Sequence, residues 1–275
     1  MSQTTLKRVH PIIYLFLAVM LLVFLVPVYM AVITALKNPA EISLSTAWDL
    51  PSSPYWQSFQ EAFTVLQPYL QNSIILTVSG TVLSALAGSI NGFVFSKNRF
   101  FGSEIVFTLF LLGMYIPYQI ILIPLFQTLR TVGLYGGLPG LILTHVIYGI
   151  PITTLIFRNY YAQIPDSLID SAKVDGAGFY GIFGRVLFPL SGPGFIVAGI
   201  WQFTQIWNEF LWGITLTQQS ANPITVGLAQ LAGGQAVSWN LPMAGSIIAA
   251  APVVAIYILL GRYFIRGMLG GALKE

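Results

Sequence analysis

The sequence predicts an all-α membrane protein with six transmembrane helices and both termini on the cytoplasmic side. Three observations carry that reading. First, 56% of the residues are apolar and 8% are charged, at a mean hydropathy of +0.78. A soluble domain carries about a quarter charged residues. Second, the apolar stretches run to about twenty residues or more without the strict alternation of strands. Hydrocarbon offers no water to backbone N–H and C=O groups, so only helices or closed barrels span it, and the lack of alternation selects helices. Third, the basic residues fall on one side of the resulting topology.

The expected spans are 11–36, 70–95, 104–127, 137–158, 191–216 and 241–262, and residues 1–275 read as a single transmembrane domain. The first follows Lys7 and Arg8. It is too long for the apolar core of a signal peptide and lacks a small-residue cleavage site, so it reads as a retained span. In the second, Gly80, Ser84, Gly88 and Gly92 recur every four residues. They give one nearly bare helix face, suited to close packing inside the bundle or to a subunit interface. Pro27, Pro117, Pro124, Pro193 and Pro252 lie in or beside spans, where each removes a backbone donor and can kink a helix. The long connectors are 37–69, 159–190 and 217–240.

Six spans put both termini on one side. With them fall Lys7, Arg8, Lys97, Arg99, Arg158, Lys173, Arg185, Arg262, Arg266 and Lys274, against only Lys37 and Arg130 opposite. Lys and Arg concentrate in cytoplasmic connectors. The termini and 159–190 are therefore expected in the cytoplasm, with 37–69 and the outer loop 217–240 outside.

Several function classes drop out. No cysteine is present, hence no disulfide and no thiol chemistry. No basic cluster suggests nucleic acid. His10 and His145 are isolated, without metal-ligand spacing. Gly176, Gly178 and Gly181 match a dinucleotide-loop pattern, but that pattern needs a preceding strand within a βαβ unit, and the neighbours are membrane spans. No phosphate-binding loop and no nucleophile–base pair occur, so no catalytic residue, metal site or cofactor site is expected in this chain.

The polar, glycine-punctuated stretch Ile169–Leu190 is unusual in so apolar a chain. Pro165 suits a helix start, Asp166 the first turn, and Leu168, Ile169 and Ala172 a shared apolar face. Asp175-Gly176 turns the chain, a second short helix follows, and Pro189 begins the return to the membrane. The product is a small helical knob with an apolar face. A partner's groove or the lipid headgroups would both cover such a face.

These residues resemble the cytoplasmic signature of bacterial ABC importer permeases: E-A-A, three residues, Gly, nine residues, then I-x-L-P. Asp170-Ser171-Ala172 stand for the triplet, Gly176 for the glycine, and Val186, Phe188 and Pro189 for the close. Asp for Glu keeps the acid, and Ser for Ala keeps a small side chain. Asp175-Gly176-Ala177 is similar to the D-G-A core of the carbohydrate-importing branch. "WNEFLWGITLT" at 207–217 and "PITVGLAQL" at 223–231 resemble the second-permease kind of the maltose-type family. The resemblance implies that 159–190 is the coupling loop, its knob the coupling helix that docks on a cytoplasmic ATPase. The implied coupling residues are Asp170, Ser171, Ala172, Val174, Asp175, Gly176, Ala177, Phe183 and Pro189. The implied partners are a second, homologous permease forming a heterodimer, two copies of the ATPase, an extracytoplasmic solute-binding protein and membrane lipid. ATP and Mg would be used by the ATPase. The implied location is the plasma (inner) membrane of a prokaryote, and the implied cargo a sugar, oligosaccharide or glucoside osmolyte.

Glu209 is an acid inside an apolar span, and a charge there is a functional candidate by default. Trp201, Gln205, Asn208 and Trp212 share one helix face beside it. Amides and aromatic planes suit a sugar's hydroxyls and ring faces, and a translocation path is one reading. The other is that Asn208 and Glu209 tie or cap helices while the tryptophans sit at the membrane interface. Two other classes remain from the residues alone. An ion-coupled secondary transporter would need several intramembrane polar groups and often repeats. A non-transporting assembly protein would show no nucleotide dependence.

Overall fold

The computed structural model describes residues 3–233 and 238–269; Lys274 and the 234–237 part of the expected outer loop lie outside them. In chain order the helices are α1 (Gln3–Ala35), α2 (Gln57–Lys97), α3 (Ser103–Gly113), α4 (Leu122–Thr131), α5 (Leu138–Ala162) and α6 (Asp166–Val174). Then come α7 (Phe179–Ile182), α8 (Phe188–Leu190), α9 (Gly192–Trp207), α10 (Leu211–Leu216), α11 (Ile224–Ala232) and α12 (Asn240–Leu269). The chain is all-helical among the described residues, apart from an isolated parallel bridge between Gly136 and Thr217. Pro11–Ala35, Gln57–Lys97, Leu138–Ala162 and Asn240–Arg262 are long and apolar enough to cross a bilayer. Phe179–Leu190 with Gly192–Trp207 adds a fifth if that pair, bent by 76°, counts as one span.

Two expected spans are not continuous helices. The stretch 104–127 splits into α3 and α4, with turns over 114–121. Gly113 weakens the helix, Pro117 has no N–H, and a proline pushes its predecessor out of the α region. The 11 residues of α3 cover only about half of a ~30 Å apolar core. The stretch 191–216 breaks at 208–210, between α9 and α10. Pro27 and Pro252 stay inside α1 and α12, Pro193 sits in the first turn of α9 and Pro124 in that of α4.

The expected outer loop is also more structured than its composition suggests. It contains α11, with Ile224 and Val226 fully buried. Gly227 lies against the Tyr69 ring, and Ile224 N–H donates to Ser73 Oγ at 2.7 Å. Six of its nine residues, ITVGLAQLA, are apolar, enough to bury one side of a short helix.

The chain forms two compact units. One takes residues up to Gln67 together with Leu228–Ala250. Its core is small: Ala35, Ala62 and Ala244, with Phe59, Leu241 and Ile248 around them. Lys37 is buried there, its ammonium donating to the carbonyls of Thr46 and Ala47. The other unit takes Pro68–Gly227 and residues from Ala251 on. Its axis is α5, which packs against α3, α9 and α10.

The bare face of α2 lies on α5 and α9 of the same chain. A Cβ on Gly92 would come within 2.5 Å of Phe157 Cβ and 2.8 Å of Arg158 N, and one on Gly80 within 2.7 Å of Ile206 Cδ1. Between them Thr153 Oγ1 donates to the Ser84 carbonyl at 2.9 Å. The four-residue recurrence therefore serves packing within the chain.

Gly92→Val should lower the melting temperature of the purified protein, because overpacking costs about 1–3 kcal/mol. Gly199→Ala, with nothing within 4 Å of its added Cβ, should be neutral or gain up to about 1 kcal/mol. Equal melting of the two variants in a thermal scan would contradict the close α2–α5 approach.

Candidate functional site

The first candidate is the knob between α5 and α9. Lys97, the last residue of α2, donates from Nζ to the Ile164 carbonyl and to Asp166 Oδ1, both at 2.6 Å. Its side chain is 7% exposed and that of Asp166 77%. The hydrogen bond and charge of Lys97, helped by Lys173 and Arg99, hold the Asp166 carboxyl below the ordinary carboxylate range. That tie is therefore present above the ordinary carboxylate pKa and is lost only as pH falls through the lowered value.

From Asp166 the chain makes α6, which ends because Gly176 adopts φ +80°. Gly176 N–H returns to the Lys173 carbonyl and Ala177 N–H to that of Ala172, both at 2.9 Å. This double closure needs a left-handed residue, which glycine supplies without Cβ strain. After α7 the chain widens into a π-helical turn, Phe183–Leu187. Phe93 of α2 stacks on Phe179 and Phe183, with ring centroids 4.8 and 6.1 Å away. Ile169, Ile182 and Leu187 bury against Phe157 and Tyr161 of α5. Tyr161 and Ser191 share a buried hydroxyl hydrogen bond where the chain bends into α9.

This geometry sorts the coupling residues read from sequence. Ala172, Ala177 and Phe183 turn inward and pack on the core. Asp170, Ser171, Val174, Asp175, Gly176 and Pro189 are exposed. Leu168 does not join Ile169 and Ala172 on their face: it is 45% exposed while Ile169 is 3%, because adjacent helical residues point about 100° apart. The apolar face of α6 is thus covered by its own chain. The outward surface instead carries Val174 and Tyr180, 88% and 86% exposed.

The second candidate is a cleft of about 370 Å³ beside the break between α9 and α10. Trp201, Gln205, Asn208, Glu209 and Trp212 all line it. The structure adds Tyr118 from the turns after α3, His145 and Tyr148 from α5, and Gln202 from α9. Tyr118, His145 and Tyr148 each meet the Trp212 ring edge-on, with centroids 5.0–5.5 Å apart. Tyr148 OH donates to the Ile116 carbonyl, freed by the break before Pro117. Among the described residues no Lys or Arg lines the cleft, and Glu209 is its acid. Amides, phenols and indoles without a cation suit an uncharged, hydroxyl-rich molecule, with rings for its apolar faces.

Glu209 also caps. Its carboxylate oxygens accept from Trp212 N–H at 2.6 Å and Gly213 N–H at 3.0 Å, satisfying the start of α10. Oε2 lies 3.9 Å from His145 Nε2, beyond hydrogen-bond reach. Thr225 Oγ1 donates to the Glu209 carbonyl. The structure therefore brings the path residues together and gives Glu209 the capping role weighed against them. His145 and Tyr148 carried one usable signal, polar groups three apart on an apolar helix; Tyr118 carried none.

The fold matches that of a bacterial ABC transporter involved in the import of the acidic polysaccharide alginate. The TM-score is 0.81 at 20% identity, covering 96% of this chain and 99% of that one. The two chains thus share one fold over nearly their whole length. Residues 80–270 match the family described as binding-protein-dependent transport system inner membrane component, and the chain belongs to it. It is 43% identical over 273 residues to a probable ABC transporter permease protein of Pyrococcus horikoshii, covering 98% of this chain and 99% of the relative. It is 32% identical over 269 residues to the xylose/arabinose import permease protein XacI of Haloferax volcanii, covering 89% and 87%.

Glu209→Ala removes both acceptors and should cost about 0.5–2 kcal/mol, as loss of a cap does. Glu209→Gln keeps one acceptor and should fall between Ala and wild type. Thermal unfolding of the three proteins checks this; an unshifted Ala variant would contradict the cap.

Proposed function

We propose that this chain is the permease subunit of an ATP-driven importer. It moves a sugar, oligosaccharide or glucoside osmolyte inward across the plasma (inner) membrane of a prokaryote. Both termini are cytoplasmic, and six spans cross: α1, α2, the broken α3–α4, α5, the broken α9–α10, and α12. A second, homologous permease completes the path. Two copies of a separate ATPase supply ATP and Mg chemistry, and an external binding protein delivers the solute. Family membership, together with a well-packed knob at the position of the family signature, is the observation that carries this reading.

ATP binding draws the two ATPase copies together. The knob, docked through Asp170, Val174, Asp175 and Tyr180, moves with its ATPase as a rigid body. Because Ile169, Ile182 and Leu187 fasten it to α5, that movement biases the membrane helices between inward-open and outward-open states. The cleft then presents its aromatic planes and amides to the passing solute. Lining residues without a cation favour neutral solutes over acidic ones. Opposed charge would be needed to attract an acid into a site of low dielectric, and Glu209 repels it.

In proteoliposomes holding the complete complex, uptake should require ATP and ignore ionophores. Val174→Asp alters only an exposed position, 88% accessible. It should leave the chain in the membrane but strip the ATPase during co-purification and abolish uptake. Uptake driven by an ion gradient without ATP, or a Val174→Asp complex with full uptake, would overturn the assignment.

A further inference from the structure

Lys97 and Phe93 stand one turn apart at the end of α2, so their side chains leave the same helix face. They hold different halves of the knob. Lys97 fixes the start of α6 through Ile164 O and Asp166. Phe93 stacks on the rings of α7 and of the π turn. Gly92, just before Phe93 in sequence, is the point of contact with Phe157 and Arg158 on α5.

We propose that this last turn of α2 is the lever of coupling, and that Lys97 is the positioning residue that sets the angle of the knob. The inference rests on the coupling role proposed above. Its physical core is an asymmetry of burial. The Lys97 side chain is 7% exposed, while that of Asp166 is 77% exposed. A cation on a largely buried stem has few other acceptors within reach, so losing these two is costly. A swing of α6 away from α2 would strip Lys97 of Asp166 and pull on the Ile164 carbonyl, two residues before α6. The knob therefore cannot turn without carrying the end of α2. That helix passes the movement to α5, which supplies His145, Tyr148 and Gly149 to the cleft. Salt screens the attraction of the exposed Asp166 but not the hydrogen bond to the neutral Ile164 carbonyl, so the two acceptors differ in weight.

The test uses the whole complex: both permeases, ATPase and loaded binding protein in proteoliposomes. Solute moved per ATP hydrolysed is measured beside ATPase co-purification. The variants are Lys97→Met, which keeps the apolar stem, Lys97→Arg, which keeps the charge, and Asp166→Asn, which keeps an acceptor. All three should retain the ATPase at wild-type yield, since the exposed docking residues are untouched. Lys97→Met should cut solute per ATP about tenfold, within the usual range of coupling between sites. Lys97→Arg should return it to within about twofold, and Asp166→Asn should fall between Met and Arg. Wild-type stoichiometry in Lys97→Met would overturn the proposal. So would a loss of coupling that Arg does not rescue and that comes with loss of the ATPase, because that is plain structural damage. Failure of the wild-type complex to retain the ATPase would strike the importer reading itself, and it would be seen before any variant is made.

Discussion

The close approach of α2 to α5 is the constraint on which the second unit depends. Gly80, Ser84, Gly88 and Gly92 remove the side chains that would hold the two backbones apart, and Phe157 and Thr153 fill the space. Within a bilayer, helices gain little from hydrophobic burial because lipid is as apolar as leucine. Tight van der Waals contact and hydrogen bonds between helices are what remain. The Thr153–Ser84 bond supplies the second of these. Both functional candidates hang from this contact. At one end of α5, Phe157 and Tyr161 form the floor of the knob; further along, His145 and Tyr148 form a wall of the cleft.

The breaks between α3 and α4 and between α9 and α10 serve the cleft. A continuous helix over 104–127 would keep its carbonyls satisfied within itself. The break before Pro117 frees the Ile116 carbonyl, and Tyr148 reaches across to bond it. A continuous helix over 191–216 would leave Glu209 without the two N–H groups it caps. Irregular backbone at membrane depth is tolerated where protein groups re-satisfy it. Each break does so with a residue that also lines the cleft. The polar lining and the helix interruptions are thus one arrangement, and a substitution at Glu209 acts on both.

The sequence made some of this plain and hid the rest for physical reasons. The all-helical class followed from apolar content and the lack of alternation. The α2 packing face was visible because small residues at a spacing of four have few other uses. The turn at Asp175-Gly176 was visible because a left-handed cap favours glycine, and Gly176 takes φ +80°. Trp201, Gln205, Asn208 and Trp212 line one cleft, but not from one helix face as the spacing suggests: Trp212 reaches it from α10, across the break at 208–210. The breaks were harder: Pro117 and Pro193 look alike in sequence, yet one interrupts a span and the other begins a helix. Whether a proline breaks a helix depends on which neighbour takes the freed carbonyl, and that neighbour is remote in the chain. Leu168 was misread because nothing local says which of two adjacent apolar residues faces inward. The packing of Ile169 against the knob core decides it.

The central claim is that the knob and the α2–α5 pair move as one body. The chain has no cysteine, so Val82→Cys on α2 and Leu168→Cys on the knob, both at exposed positions, give it a single pair of spin labels. Double electron–electron resonance on the assembled complex, without nucleotide and with ATP trapped, measures their separation in two states of the ATPase. The account predicts that the mean distance changes by less than about 2 Å, the scale of a packed helix shift. A change of about 5 Å or more, one helical turn, would show the knob swinging free of α2 and would contradict it.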